Sequence, residues 1–283
     1  MKVGLVVHSG RQESVTAAVD AAGRLTRLGA DVVMARQHDE DGGVPVPQVE
    51  SEGFAHGLDI ALSFGGDGTF LRAAHLCRDA GVPVLGLNLG RLGFLAEVER
   101  EEVHATLEAV ARGDFVVDER STLQVSADDA DGRQLLDDWA LNEVAIEKTA
   151  RQRVLHMGMH VGGRVFTRVP ADALVIATST GSTAYSFSAG GPILSPGVPA
   201  IVVTPVAPHS LFGRTVVLAE HERVTVEVMA DQEPAVVSCD GRAPVTVAAG
   251  GWVHVLGGGA PVRLARVAPH DFYELVRAKF GLR

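Results

Sequence analysis

A chain of 283 residues with 46% hydrophobic content has room for two ordinary cores, so two domains are expected. A net charge of −10 and only 5% aromatic residues weigh against a nucleic-acid partner, which asks for a basic face or stacking rings. Three lysines, Lys2, Lys148 and Lys279, none in a G-x-x-x-x-G-K-[ST] arrangement, exclude a Walker-type phosphate loop.

The first part of the chain alternates strand and helix patterns, which predicts an α/β domain with a parallel sheet over residues 1–118. Val3 to Val7 reads as a buried strand. Ser14 to Leu28 places Val15, Ala18, Val19, Ala22, Leu25 and Leu28 at helical spacing and stops at Gly29. Asp31 to Ala35 is the second strand, and Gln37 to Gly53, rich in acids, glycine and proline, reads as a long surface loop. Leu58 to Phe64 is the third strand. A helix then starts at Asp67 or Thr69 and runs to Ala80, Gly81 stops it, Val84 to Leu87 forms a fourth strand, and Glu101 to Arg112 is a further helix.

Beyond Asp118 the chain changes to short β-rich runs, which predicts a second, β-rich domain over residues 119–267. Leu155–Val161 with Arg164–Val169 flank Gly162-Gly163, and Ala235–Cys239 with Ala243–Val247 flank Asp240-Gly241; both pairs read as hairpins. Trp252 to Leu256 and Val262 to Val267 add two strands. Residues 268–283 read as a helix capped by Asp271 that returns to the first domain. The opening segment is too short for a signal peptide, and no apolar run reaches the roughly 20 residues of a membrane span. Cys77 and Cys239 form neither a disulfide framework nor a zinc site, so a soluble cytoplasmic protein with reduced thiols is expected.

The most informative segment is the strand that breaks into Gly65-Gly66-Asp67-Gly68-Thr69. Glycines let the backbone approach a ligand, and N–H groups leading into the following helix can point at phosphate oxygens. Asp67 reads as the only charge at the mouth of this cradle, which suits phosphoryl transfer rather than passive anion binding. Taken alone, the pentapeptide serves equally well as an Asp-Gly turn. Gly86 to Leu95 follows another strand end and would bring Asn88 and Arg91 beside the Gly65 turn. Asn142-Glu143 sets an amide and an acid next to each other in an apolar strand, either facing a ligand or facing solvent on a sheet edge. Thr178 to Pro192 combines hydroxyls and glycines around Tyr185, which can stack on a base or belong to a helix cap and linker. His209 reads as a structural histidine, and the chain has no G-x-S-x-G elbow.

In this order, Gly65 to Thr69, Asn88 to Phe94, Asn142-Glu143 and Thr180 to Pro192 resemble the motifs of the NAD kinase family over nearly the whole chain. The resemblance implies transfer of the γ-phosphoryl group of ATP to the adenosine-ribose 2′-hydroxyl of NAD, giving NADP. It further implies Asp67 as the base and Gly66, Gly68 and Thr69 on ATP phosphates bridged by Mg²⁺. Asn88, Asn142, Glu143, Arg153, Asp172, Thr183, Ala184, Tyr185, Ser186, Phe187, Ser188, Ala207 and Arg242 complete the implied substrate contacts. ATP and NAD are the expected partners of a homo-oligomer, dimer or tetramer. Three departures stand out: Ser179 replaces a proline the family usually carries, which would loosen that turn, Asp172-Ala173 replaces Asp-Gly, and Pro170 stands where some members carry a basic or small residue, a position that bears on the choice between NAD and NADH. The alternatives are a lipid, sugar or nucleoside kinase that shares the glycine-aspartate turn, and a non-catalytic dinucleotide-binding regulator.

Overall fold

The computed structural model describes all residues except 37–42, 91–92, 97, 212, 231–232, 269–270 and 283, and these divide into two compact units, Met1–Glu119 with Val262–Arg283, and Arg120–Pro261. In the first unit a seven-stranded sheet runs in the order Gln48–Val49, Asp31–Ala35, Lys2–Val7, Ile60–Gly65, Val84–Asn88, Val262–Arg266, Val116–Arg120. Neighbours from the first through the sixth of these pair in parallel. The strands at its centre are apolar on both faces because helices cover both. Helix α1 (Gln12–Arg27) buries Ala18, Ala21, Ala22 and Leu25, and its small residues permit close packing on the sheet. Helix α2 (Asp67–Cys77) buries Phe70, Ala73, Ala74 and Cys77, and α3 (Val103–Arg112) buries Val103, Leu107 and Val110. Fully buried Leu5, Leu62, Phe64 and Leu85 occupy the middle, each contributing roughly 1.5–3 kcal/mol.

The strand order places Lys2–Val7 beside Ile60–Gly65 although their connections leave toward opposite edges of the sheet. Such a reversal opens a crevice beyond the strands' carboxyl ends. Here the two turns that leave those ends are His8–Arg11 and Gly66–Asp67.

The second unit stacks two six-stranded antiparallel sheets. One runs Arg164–Ala171, Leu155–Val161, Val224–Val228, Trp252–Gly257, Leu123–Asp128, Gln134–Ala140; the other runs Val216–Ala219, Ala200–Val206, Ala173–Thr178, Glu143–Lys148, Ala235–Cys239, Val245–Val247. Alternate residues of both, among them Val125, Val144, Ile146, Met157, Leu174, Ile176, Val226, Val237 and Val253, form a single core. On Glu143–Lys148 this alternation turns Val144 and Ile146 inward and leaves Glu143, Ala145 and Glu147 on the opposite face. The one-turn helix α4 (Tyr185–Ser188) follows the turn Thr180–Thr183.

Several sequence expectations change. Val262–Arg266, assigned above to the β-rich domain, pairs with Val84–Asn88 in the first unit's sheet. Its period-two pattern marks a strand and does not say which sheet takes it. The expected loop from Gln37 to Gly53 lies partly outside the described residues, and its described end holds a strand, Gln48–Val49, paired with Met34 and Ala35. Asn142-Glu143 does not sit on an edge strand, since Glu143–Lys148 has a partner on either side. Helix α5 (Phe272–Phe280) starts at the expected cap, where the Asp271 carboxylate accepts the N–H groups of Tyr273 and Glu274 at 2.8 and 3.3 Å.

Candidate active site

In the first unit a cavity of about 480 Å³ is lined by His8, Ser9, Arg11, Gly66, Asp67, Gly68, Thr69 and Arg72. It occupies the crevice that the strand order opens. Helix α2 begins at Asp67 with Gly66 as its cap and α1 begins after Arg11, and neither start has a side-chain cap. Uncapped N–H groups at two helix starts favour an anion in the space beside them. Arg72 reaches back to donate to the Val7 carbonyl at 2.7 Å, and burial lowers its pKa from the ordinary arginine value. Asp67 is therefore not the only charge at the cradle, as the sequence had implied, because Arg11 and Arg72 face the same space. Spacing along the chain could not bring them together, since they sit on different helices.

Asp67 is also more constrained than a turn residue. Its Oδ2 accepts the Phe94 N–H at 2.9 Å, and its Oδ1 accepts those of Leu95 and Ala96 at 3.0 and 3.1 Å. A carboxylate has about four acceptor positions, so among the described residues the one left open belongs to Oδ2. Gly93 makes the approach feasible, since a Cβ there would lie 2.1 Å from Asp67 Oδ1. The same segment returns to the sheet, where Val98 accepts from the Asn88 N–H at 2.8 Å. Asn88 is buried opposite Gly65 and its Oδ1 holds the Gly90 N–H at 3.1 Å, so its amide shapes the turn. Arg91, expected beside it, lies outside the described residues.

In the second unit Tyr185 lies along the outer face of the strand Glu143–Lys148, its N–H toward Glu143 and its hydroxyl toward Glu147, with Asn142 just before the strand and Asp172 beside Lys148 at its end. Thr178 binds the chain here, donating through its hydroxyl to Leu141 O at 2.6 Å and through its N–H to Asn142 O at 2.9 Å. Gly181 packs so closely on this segment that a Cβ would lie 2.0 Å from Asn142 O. The Tyr185 hydroxyl donates to Glu147 at 3.2 Å, and Lys148 pairs with Asp172 at 2.5 Å. Ala207, next to the Asp172 to Val206 backbone bond, has φ +45, a sparsely populated conformation for alanine. Burial, and then the charge of Asp240, push the Glu143 carboxyl up to about 7, against the pull of the Tyr185 N–H; its Oε2 is buried without a partner.

Other implied residues serve the framework. Ser186 is fully buried with its hydroxyl on Thr204 at 2.8 Å, and Ser188 turns its hydroxyl to Ala184 O at 3.4 Å. Phe187 is half-buried in α4. Arg153 is exposed and paired with Glu233 at 3.7 Å. Arg242 pairs with Asp138 at 2.7 Å and Asp240 at 3.5 Å and stacks on Trp139. Sequence reasoning missed Asp240 itself. Its Oδ2 accepts the Leu141 N–H at 2.7 Å and its Oδ1 those of Asn142 and Glu143 at 2.8 and 3.1 Å, so it fixes the segment that carries both site residues. The Asp-Gly signal of a hairpin turn concealed this role. Ser179, in place of the family's usual proline, donates its hydroxyl to Val198 O and so holds the turn by another route. Ala173 lies within a regular strand, where glycine is not required.

Each half of the chain matches a known domain family. Residues 3–115 match the model of the ATP-NAD kinase N-terminal domain and residues 141–267 that of the C-terminal domain. The chain is 38% identical over 286 residues to NAD kinase 2 of Streptomyces coelicolor, covering 99% of this chain and 94% of that one. It is 40% identical over 296 residues to the NAD kinase of Mycobacterium bovis, covering 98% and 95%. Among solved structures, an NAD kinase from Archaeoglobus fulgidus in complex with ATP superposes with a TM-score of 0.76 at 25% identity, covering 100% of this chain and 98% of the other. Yeast NADH kinase complexed with NADH shares the fold, with a TM-score of 0.86 at 22% identity, covering 99% and 87%. With both halves matched by its domain models and relatives matched along nearly the full length, the chain belongs to the NAD kinase family, the ATP-dependent kinases that phosphorylate NAD to NADP.

Proposed function

We propose that Asp67 is the base of this reaction in the present chain and that the Asn142, Glu143 and Tyr185 pocket holds the dinucleotide. The observation that carries the proposal is the single open acceptor position on Asp67 Oδ2, at the wall of a cavity lined by Arg11 and Arg72. A ribose hydroxyl is a weak nucleophile at neutral pH. As its oxygen bonds to the γ-phosphorus of ATP, its proton passes to Asp67 Oδ2 and the bond from the γ-phosphorus to the bridging oxygen breaks, releasing ADP. The N–H groups at the start of α2 and the two guanidinium groups stabilise the charge that develops on the phosphoryl oxygens. Arginine suits this task because its planar fork donates two bonds to one phosphate.

Among the described residues no three His, Cys, Asp or Glu side chains converge as a metal cage, and most of the Asp67 acceptor capacity is already filled. A divalent cation such as Mg²⁺ would be held through the ATP phosphates, whose charge it would offset.

The proposal extends to a cytoplasmic homo-oligomer. Cys77 and Cys239 are free thiols, which suits a reducing compartment, and burial pushes both up to about 12, so they stay protonated and unreactive. Exposed Val165 and Phe166 on the edge strand Arg164–Ala171 favour self-association. No described helix is long and apolar enough to cross a membrane. The test is incubation with ATP, Mg²⁺ and NAD, with NADP followed by an NADP-specific dehydrogenase. Absence of product from NAD, with turnover of a lipid or another nucleoside in its place, refutes the assignment.

A further inference from the structure

The three N–H groups that hold Asp67 come from a segment whose aromatic side chain, Phe94, is caught by the C-terminal helix. The Phe94 ring lies 6.4 Å from the ring of Phe272 and 6.2 Å from that of Phe280, tilted by about 40° to each, and Lys279 Nζ sits 4.2 Å above its face. Tilted aromatic pairs at these separations and a cation over a ring each contribute roughly 0.5–1.5 kcal/mol. Helix α5 has a capped start, at Asp271, and is held in place by buried Leu275. A continuous mechanical path therefore leads from α5 through the Phe94 ring and backbone to both carboxylate oxygens of Asp67.

We propose that Phe94, gripped by Phe272, Lys279 and Phe280, is a positioning residue for phosphoryl transfer, fixing the N–H groups of residues 94–96 so that the one open acceptor position of Asp67 Oδ2 is aimed at the acceptor hydroxyl. The inference rests on the reading of Asp67 as the base. The two carboxylate oxygens are equivalent under a half-turn about χ2, so what the 94–96 backbone fixes is the plane of the carboxylate and the point in space from which its open position faces the cavity. Gly93 supports the arrangement, because any side chain there would displace the carboxylate. A buried framework carboxylate would need no such aim; Asp67 is half-buried at the cavity wall, where its direction matters. Misplacement of a reacting group by about 1 Å costs on the order of 10²-fold in rate.

The test is steady-state kinetics of full-length Phe94→Ala and Phe280→Ala, with Asp67→Asn alone and in combination with each. The expected result is a 10- to 100-fold fall in kcat with KM for ATP and NAD within about two-fold, recovery in Phe94→Tyr, and no further loss when either change is added to Asp67→Asn. Phe280→Ala, at the exposed end of α5, keeps the test open if Phe94→Ala fails to fold. Losses that multiply with Asp67→Asn, a rise in KM at unchanged kcat, or parental kinetics in both single variants each overturn the proposal. A silent Asp67→Asn overturns instead the reading of Asp67 as the base, on which the proposal rests.

Discussion

Asp67 and Asp240 are held by the same device: each carboxylate accepts three successive backbone N–H groups, one on Oδ2 and two on Oδ1, the first from residues 94–96 and the second from residues 141–143. The likeness ends there. The Asp240 side chain is 2% exposed and paired with Arg242 at 3.5 Å, whereas Asp67 opens onto a cavity. Burial raises the Asp240 carboxyl against the pull of its three N–H donors. Asp240 fixes the segment that carries Asn142 and Glu143, whereas Asp67 keeps part of its carboxylate facing the cavity.

Asp67→Asn should therefore do two things. Loss of the base lowers kcat by roughly 10²–10⁴. Placing an amide NH₂ where Oδ2 faces the Phe94 N–H loses one hydrogen bond and leaves a donor unpaired, at a cost of about 1–3 kcal/mol in unfolding free energy. Turnover is best measured at a temperature where urea titration shows the variant folded. A kcat within a few-fold of the parent removes Asp67 from the mechanism.

Asp240→Asn tests the other half of the pair. The amide loses the Leu141 bond and the Arg242 ion pair, so stability should fall by about 1–3 kcal/mol. Because residues 141–143 carry Asn142 and Glu143, KM for NAD should rise several-fold while KM for ATP stays near the parental value. Equal changes in the two constants would show that Asp240 supports the unit as a whole and not the dinucleotide pocket.

The elements and the order of motifs were legible in the sequence, because period-two and period-3.6 patterns, Gly29, Gly81 and the Asp271 cap act locally. What stayed hidden was long-range. Nothing near Asp67 announces that residues 94–96 will bind it, and nothing in Asp240-Gly241 distinguishes a hairpin turn from an anchor for a strand 97–99 positions away. Arg11 and Arg72 reach one cavity only through the strand order. Val262–Arg266 carried the right pattern and the wrong domain for the same reason.

Glu143 gives a pH dependence with a definite sign. Its folded pKa is raised from 4.5 to about 7, so its contribution to stability is fully present below pH 4.5 and is lost as pH rises through 7. Glu143→Gln, which keeps the shape without the buried charge, should gain roughly 1–3 kcal/mol over the parent at pH 8, and the gain should shrink toward pH 5. Thermal melts at the two pH values measure it. A gain that stays constant across this range would mean that the Glu143 carboxyl is not held protonated by burial.

Ser179 tests how this chain manages without the proline its family usually carries. Its backbone is already at φ −61, the value a pyrrolidine ring imposes, and Thr178 before it is in a strand, the conformation a following proline favours. Ser179→Ala loses only the hydroxyl bond to Val198 O, which should cost about 1 kcal/mol. Ser179→Pro loses the same bond but restricts the unfolded chain, a gain of roughly 0.4–1 kcal/mol, so it should be more stable than the alanine variant and close to the parent. Ser182 remains bonded to Ser179 O at 2.7 Å in either variant, so the turn that presents Thr183 to Tyr185 keeps its shape and KM for NAD should not move. A proline variant less stable than the alanine variant would show that the Ser179 N–H also helps to hold the turn.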